Sequence, residues 1–205
     1  MSERYSNVWT IAEARDGKLK SVSYELLARG RSLADASGEK LVSVLIGANV
    51  SDAELRTLID HGADLVLSVQ DDALDAFIVE TYSNVLMDLV RQFRPNIILA
   101  AATNNGRTLM PHVAMRLHTG LTADCTDLQV DMNTGDLLQT RPAIGGNILA
   151  TIKTPNHRPQ MATVRPRSTQ ALPADARRAG DVQQINLKPE LVDKRVRLLA
   201  FEAEE

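Results

Sequence analysis

The run Asn96–Ala102 (NIILAAA) is the feature of this sequence that most restricts its fold. Its residues are apolar at both odd and even positions after the first, so both faces of a strand built from it must be covered. Segments with helical spacing precede and follow it. This pattern predicts a central strand of a parallel sheet with helices on each side.

Other strand-length apolar runs alternate with helical segments before this strand. Asn7–Ala14, Leu41–Ile46 and Leu65–Val69 are predicted strands. Ser51 begins a short helix, with Glu54 three residues later as in a capping box. Apolar residues three or four apart predict a long helix that ends before Pro95: Leu74, Phe77, Ile78, Tyr82, Val85, Leu89 and Phe93.

A further helix is predicted from about Thr108 to His118, with Pro111 in its first turn. Successive βα units joined by right-handed crossovers give a parallel sheet. The fold class is therefore α/β: a Rossmann-like three-layer sandwich with a parallel sheet core and appended antiparallel strands.

The pattern changes after the last helix. Short strands separated by turns predict a largely antiparallel region over Gly120–Pro166, and they are Thr122–Asp131, Leu137–Pro142, Ile148–Thr154 and Gln160–Arg165. We assign residues 1–166 to an α/β core domain and 167–205 to an extended arm or linker. Lys194–Phe201 is a candidate last strand in this arm.

Composition excludes several functions. The net charge is −3 and aromatic residues make up 3% of the chain, which argues against nucleic-acid binding. No secretory signal and no apolar run of about 18 residues is evident, so no membrane insertion is expected. The single cysteine, Cys125, fits a reducing compartment. We expect a cytoplasmic protein.

The loop Thr103–Thr108 is the first candidate site. It follows the apolar strand and opens a helix, where backbone N–H groups and the helix dipole attract anions. Gly106 and Arg107 are its candidate ligand-binding residues. The loop carries no phosphate-binding fingerprint, so a plain βα connection is the alternative.

The segment TRPAIGGN is the second candidate. Arg141 offers a planar fork of donors, and Gly145 and Gly146 allow a flat ligand or a backbone to approach closely. A β-turn with an exposed arginine is the alternative. A third segment, PNHRPQMATVRP, is consistent with a rigid loop that leads into a core strand.

Catalytic and metal-binding patterns are not found. The four histidines lack zinc-ligand spacing. Cys125 lies in a predicted strand and is expected to be a buried, inert thiol. No serine lies in a GxSxG elbow, so no catalytic residue and no metal ligand is assigned.

Three long segments carry a resemblance to a known family: GLTADCT, QTRPAIGGN and HRPQMATVRP. Together with NVWTIAEARDGKLKSVSYELL near the start, they resemble the electron-transfer flavoprotein α-subunit, its N-terminal domain. The resemblance extends from residue 7 to about 201 and favours the bifurcating, anaerobe-type branch.

The resemblance implies a heterodimer with a β-subunit and a separate domain that carries FAD. In this family the β-subunit holds AMP or a second FAD, and the arginine at the position of Arg141 approaches that flavin beside Gly145 and Gly146. The FAD domain would follow Glu205, so this chain alone is expected to bind no FAD tightly. Thr108 and His112 depart from the acidic residue and arginine common in relatives.

Two functions from different classes follow. The first is an electron-carrier subunit domain, not an enzyme, that docks the β-subunit, contributes to a flavin site, and serves an acyl-CoA or other dehydrogenase. The second is a free-standing adenine-nucleotide-binding module that uses the Gly106 loop. A hydrolase or transferase lacks support, because no nucleophile–base pair is present.

Overall fold

The computed structural model describes residues 5–143 and 148–200. These residues form twelve strands: β1 (Val8–Ala12), β2 (Ala14–Arg15), β3 (Lys18–Leu19), β4 (Leu41–Gly47), β5 (Leu65–Gln70), β6 (Ile97–Ala101), β7 (Leu121–Cys125), β8 (Asp127–Val130), β9 (Leu137–Pro142), β10 (Leu149–Ile152), β11 (Gln160–Val164) and β12 (Asp181–Ile185). They also form four α-helices: α1 (Ser21–Ser37), α2 (Asp52–Asp60), α3 (Val79–Phe93) and α4 (Asn104–Leu117).

Seven strands form one sheet in the order β12-β5-β4-β1-β6-β11-β7. Every neighbouring pair in it is parallel. Strand β6 lies between β1 and β11, and all five of its residues are buried. The prediction that Asn96–Ala102 forms a central strand is therefore confirmed.

Helices cover both faces of this sheet. One core cluster joins α1 and α2 to it through residues such as Leu27, Leu33 and Leu58. The other joins α3 and α4 through residues such as Leu86 and Met110. The three-layer α/β sandwich is confirmed.

The predicted starts of two helices need correction. Helix α4 begins at Asn104 because the Thr103 hydroxyl accepts a hydrogen bond from the Gly106 N–H at 3.1 Å, an N-cap contact. Pro111 therefore lies inside the helix, not in its first turn. Leu74 ends a short 3₁₀ helix, and α3 starts only at Val79.

The expectation of a largely antiparallel region over Gly120–Pro166 is partly wrong. Strands β8, β9 and β10 form an antiparallel sheet as expected. Strands β7 and β11, however, belong to the parallel sheet, where β11 pairs with the free edge of β6. Because β11 is buried on both faces, its apolar sequence could not show which sheet it joins.

The C-terminal part of the chain also differs from prediction. Strand β12 pairs in parallel with β5 and extends the main sheet by one strand. Its residues are mostly exposed and lack an apolar period, so the sequence did not indicate it. Residues 194–200, the described part of the candidate strand Lys194–Phe201, do not form a strand.

Candidate functional site

A crevice opens where the order of strands along the chain reverses. From β1 the chain proceeds to β4 and β5 on one side, then crosses to β6 on the other. Ligands of open α/β sheets bind outside the carboxyl ends of strands at such a switch point. A small pocket lies there. Its lining residues are Ile11, Ala12, Glu13, Ala14, Ile46, Phe77, Tyr82, Ala100, Asn105, Gly106 and Leu109.

A carboxylate of the chain itself lies beside the start of α4 in this crevice. The Thr103 hydroxyl donates a short hydrogen bond to Glu13, and the Lys20 ammonium lies 3.0 Å from the other carboxylate oxygen of Glu13. The Glu13 side chain is only 9% exposed. A phosphate at this helix N-terminus would meet a negative charge, so the crevice does not fit a nucleotide phosphate.

Gly106 faces the sheet, not the solvent. A Cβ atom added to it would lie 1.9 Å from the carbonyl oxygen of Ala101. The helix and strand β6 therefore approach each other more closely than any other residue would allow. Helix–strand packing explains this glycine without a ligand.

Arg107 is directed toward the neighbouring strand ends. Its Nε donates to the carbonyl oxygen of Ala102 at 2.8 Å, and its Nη2 lies 3.6 Å from Oδ1 of Asp124. Arg165, which directly follows β11, makes a bidentate contact with the same carboxylate at 2.7 and 3.2 Å. The Arg165 guanidinium beside Asp124 holds the pKa of this carboxyl below its usual value. Desolvation of the carboxyl by burial opposes this shift but does not cancel it.

Arg141 lies on β9, opposite Ala150 of β10. Its Nε donates to the carbonyl oxygen of Pro142 at 3.4 Å. Its charge reaches Asp124, whose pKa it helps to lower. Arg107 thus contacts Asp124 directly, and Arg141 acts on the same carboxylate through its charge. Gly145 and Gly146 lie outside the described residues.

Cys125 lies next to Asp124, at the end of β7, and is buried. Burial raises the pKa of its thiol to about 11, and the Arg141 charge only partly offsets this. The thiolate is therefore scarce at neutral pH, as an inert core cysteine requires.

The cluster of Arg107, Arg141, Arg165 and Asp124, called the arginine cluster below, carries excess positive charge. Two guanidinium groups, which offer donors only, contact one carboxylate, and the charge of a third, that of Arg141, also acts on it. The side chains of Arg107 and Arg165 are 59% and 46% exposed, so another molecule can reach them. These residues fit an anionic group.

An apolar surface lies on the antiparallel sheet. In β10, which is an edge strand, Leu149 and Ile152 are exposed, and Ile148 directly before it is exposed as well. An edge strand with apolar side chains is a surface that other chains can pair with or cover.

Neither metal binding nor membrane spanning has support in the described parts of the chain. Residues 5–143 and 148–200 contain no group of three or more His, Cys, Asp or Glu side chains that could hold a metal ion. None of their helices has the length and apolar character needed to cross a bilayer.

Comparison with known proteins decides the family. A family model described as "Electron transfer flavoprotein domain" matches residues 8–190. The chain belongs to the electron transfer flavoprotein family. The resemblance drawn from GLTADCT, QTRPAIGGN and HRPQMATVRP is confirmed.

Curated relatives of this family agree. The chain is 44% identical over 196 residues to the electron transfer flavoprotein subunit alpha of Clostridium acetobutylicum. The aligned residues cover 95% of this chain and 58% of the relative. It is 51% identical over 162 residues to protein FixB of Clostridium saccharobutylicum, and the aligned residues cover 79% of this chain and 48% of that relative. Subunit LctC of the lactate dehydrogenase (NAD(+),ferredoxin) of Acetobacterium woodii is 42% identical over 161 residues, which cover 78% and 38%.

The chain therefore spans about half to three fifths of the first two relatives' length. Sequence reasoning identified Arg107 and Arg141 but assigned no role to Glu13, Asp124 or Arg165. The contacts of these residues join positions that are far apart in the sequence. Glu13 and Thr103 are 90 positions apart, Asp124 and Arg165 are 41 apart, and Arg107 and Asp124 are 17 apart. The signal in the sequence that points to Asp124 is its acidic side chain at the otherwise uncharged end of a predicted strand.

Proposed function

We propose that this chain is the N-terminal α/β domain of an electron transfer flavoprotein α-subunit. In this proposal it docks a β-subunit and forms one side of a flavin site between the two chains. The observation that carries the proposal is the exposed arginine cluster, which fits an anionic group. Membership of the family and the α-subunit relatives support it.

Arg141 is the residue that we propose acts on the flavin. A guanidinium stays charged at any working pH, so near the ring it favours anionic reduced states. In this proposal FAD is held mainly by the β-subunit and by a separate FAD domain of the α-subunit. AMP is an alternative occupant of the β-subunit, and an acyl-CoA or other dehydrogenase is the redox partner.

The exposed apolar residues of β10 are the surface that we propose meets the β-subunit. They lie on the same hairpin as Arg141, because β10 pairs with β9. Docking there would cover the apolar side chains and bring the arginine cluster to the interface.

A free-standing adenine-nucleotide module is the second candidate, and the geometry disfavours it. The loop that the sequence indicated for the phosphates is the start of α4, where Glu13 already lies. We expect no binding of AMP or ATP by the isolated chain in a calorimetric titration.

Pairing and colour test the proposal. The chain should purify colourless alone and should form a one-to-one complex with a co-expressed β-subunit of the same family, seen by gel filtration with light scattering. A yellow preparation of the chain alone with about one flavin per chain, or nucleotide binding without a partner, would contradict it.

Arg141→Ala in the complex tests the residue assignment. A charge-assisted contact is worth about 1.5–3 kcal/mol, and ~59 mV corresponds to a tenfold change for a one-electron step. We expect the Arg141→Ala complex to have a flavin potential that is lower by several tens of millivolts, on the scale of ~59 mV per tenfold change. Its melting temperature should be unchanged. Arg141→Lys should recover part of the loss, because charge remains without the planar fork.

Arg177→Ala is the matched control, because Arg177 is an exposed arginine that pairs with Asp175, whose N–H donates to the carbonyl oxygen of Asp60 at the end of α2 and not to the cluster. It should change neither potential nor stability. Unchanged potentials with a large loss of stability in Arg141→Ala would show that Arg141 is structural.

A further inference from the structure

Asp124 has an unusual backbone conformation. Its φ is +62°, in the left-handed region, although it is not a glycine. Its N–H donates to the hydroxyl of Thr163 at 2.9 Å, and the register between β7 and β11 shifts beside it. Left-handed residues that the surrounding structure holds in place gather at functional sites.

This conformation directs the carboxylate at two guanidinium groups. Arg165 is fixed by the bidentate contact, and its own N–H donates to the carbonyl oxygen of Cys125 at 2.9 Å. Arg107 lies on the other side of the carboxylate, at 3.6 Å. A bidentate contact sets the plane of a guanidinium as well as its position.

We propose that Asp124 is a positioning residue, which holds Arg165 and Arg107 in place so that they, together with Arg141, face an anionic flavin of the partner subunit. The inference rests on the proposed function and extends it to three residues that the resemblance did not assign. Asp124 acts through the arginines and does not itself touch the flavin.

The sign of the effect separates positioning from simple charge. Asp124 is negative, so its charge alone disfavours an anionic reduced flavin, and removing that charge would raise the flavin potential. Loss of positioning would lower the potential, because flexible guanidinium groups stabilise the reduced state less well. A fall in potential after loss of a negative charge therefore indicates positioning.

The test compares variants of the αβ complex by spectroelectrochemical titration. Asp124→Asn keeps the shape of the side chain and a residue type that tolerates positive φ. Asp131→Asn is the matched control, because it removes a negative charge paired with Lys153 at 2.7 Å on the adjacent antiparallel sheet. Arg165→Lys keeps the positive charge that pairs with Asp124 and removes the planar guanidinium fork.

We expect Asp124→Asn to lower the equilibrium constant of one-electron reduction about tenfold, which is ~59 mV. Arg165→Lys should have a similar effect, and the double variant should exceed neither single variant, because one residue acts through the other. Asp131→Asn should leave the potential unchanged. A raised or unchanged potential in Asp124→Asn, or an additive double variant, would overturn the inference.

The same titrations separate this inference from the proposed function. A lowered potential in Arg141→Ala with none in Asp124→Asn would remove only the role of Asp124. A lowered potential in Asp124→Asn with none in Arg141→Ala would support positioning and reject the role of Arg141. If the wild-type chain forms no complex with a β-subunit, both fail.

Discussion

Gly106→Ala is the substitution for which local propensity and tertiary structure predict opposite signs. Gly106 lies in the first turn of α4, and alanine in a helix is favoured over glycine by roughly 0.5–1 kcal/mol. Propensity alone therefore predicts a stabilised protein. The structure places the new Cβ 1.9 Å from the carbonyl oxygen of Ala101 and 3.1 Å from its carbon.

The clash is with backbone of a fully buried central strand, so no flexible side chain can move away. Overpacking in a well-packed core costs about 1–3 kcal/mol and occasionally more. A contact of 1.9 Å with backbone places this cost near its upper end, about 3 kcal/mol. After the propensity gain of roughly 0.5–1 kcal/mol, we expect Gly106→Ala to lower the free energy of unfolding by about 2 kcal/mol. For a chain of this size that corresponds to a melting temperature about 4–8 °C lower.

Chemical denaturation and a thermal melt of the isolated chain, without flavin or partner, measure this effect. Gly47→Ala is the control, since Gly47 ends β4 and a Cβ there would meet nothing within 4 Å. It should change stability little. An unchanged or raised stability in Gly106→Ala would refute the packing argument and revive a ligand-binding role for this glycine.

Three further predictions concern side chains near the same edge of the sheet. Glu13→Gln should lower stability by about 1 kcal/mol in a denaturant titration, because the charge that pairs with Lys20 and strengthens the Thr103 hydrogen bond is lost; equal stability would show that the contact contributes nothing. Cys125 should react slowly with a thiol reagent at pH 8 and rapidly after unfolding, since burial raises its pKa to about 11; fast reaction of the folded chain would contradict its burial. The folded pKa of Asp124 is lowered, so the stability that this group contributes is present above its unfolded pKa, about 3.9, and is lost as pH falls through the folded value. The stability difference between wild type and Asp124→Asn should therefore shrink below about pH 4, and a constant difference down to pH 2 would be the contrary result.

The candidate site was predictable only in part. Arg107 and Arg141 could be proposed from the sequence because Arg107 opens a helix directly after the apolar strand and because Arg141 lies in a segment that resembles a known family. The contacts of Arg107 and Arg165 with Asp124 could not be predicted, since they join α4 and the end of β11 to the end of β7. The spacing between Asp124 and Arg165 along the sequence is set by the intervening antiparallel sheet and carries no signal of its own.

The sequence by itself determined the central architecture and the family. A run such as NIILAAA can be buried only between two layers of helices, and the repeat of α3 can pack only one face, so local pattern and fold agree. Tertiary structure alone decided where β11 and β12 lie. Backbone N–H and C=O groups at the open edges of β6 and β5 need partners, and strands of quite different composition supply them: β11 is buried throughout and β12 is mostly exposed. Pairing of backbone groups does not depend on side-chain pattern, which is why the sequence could not reveal it.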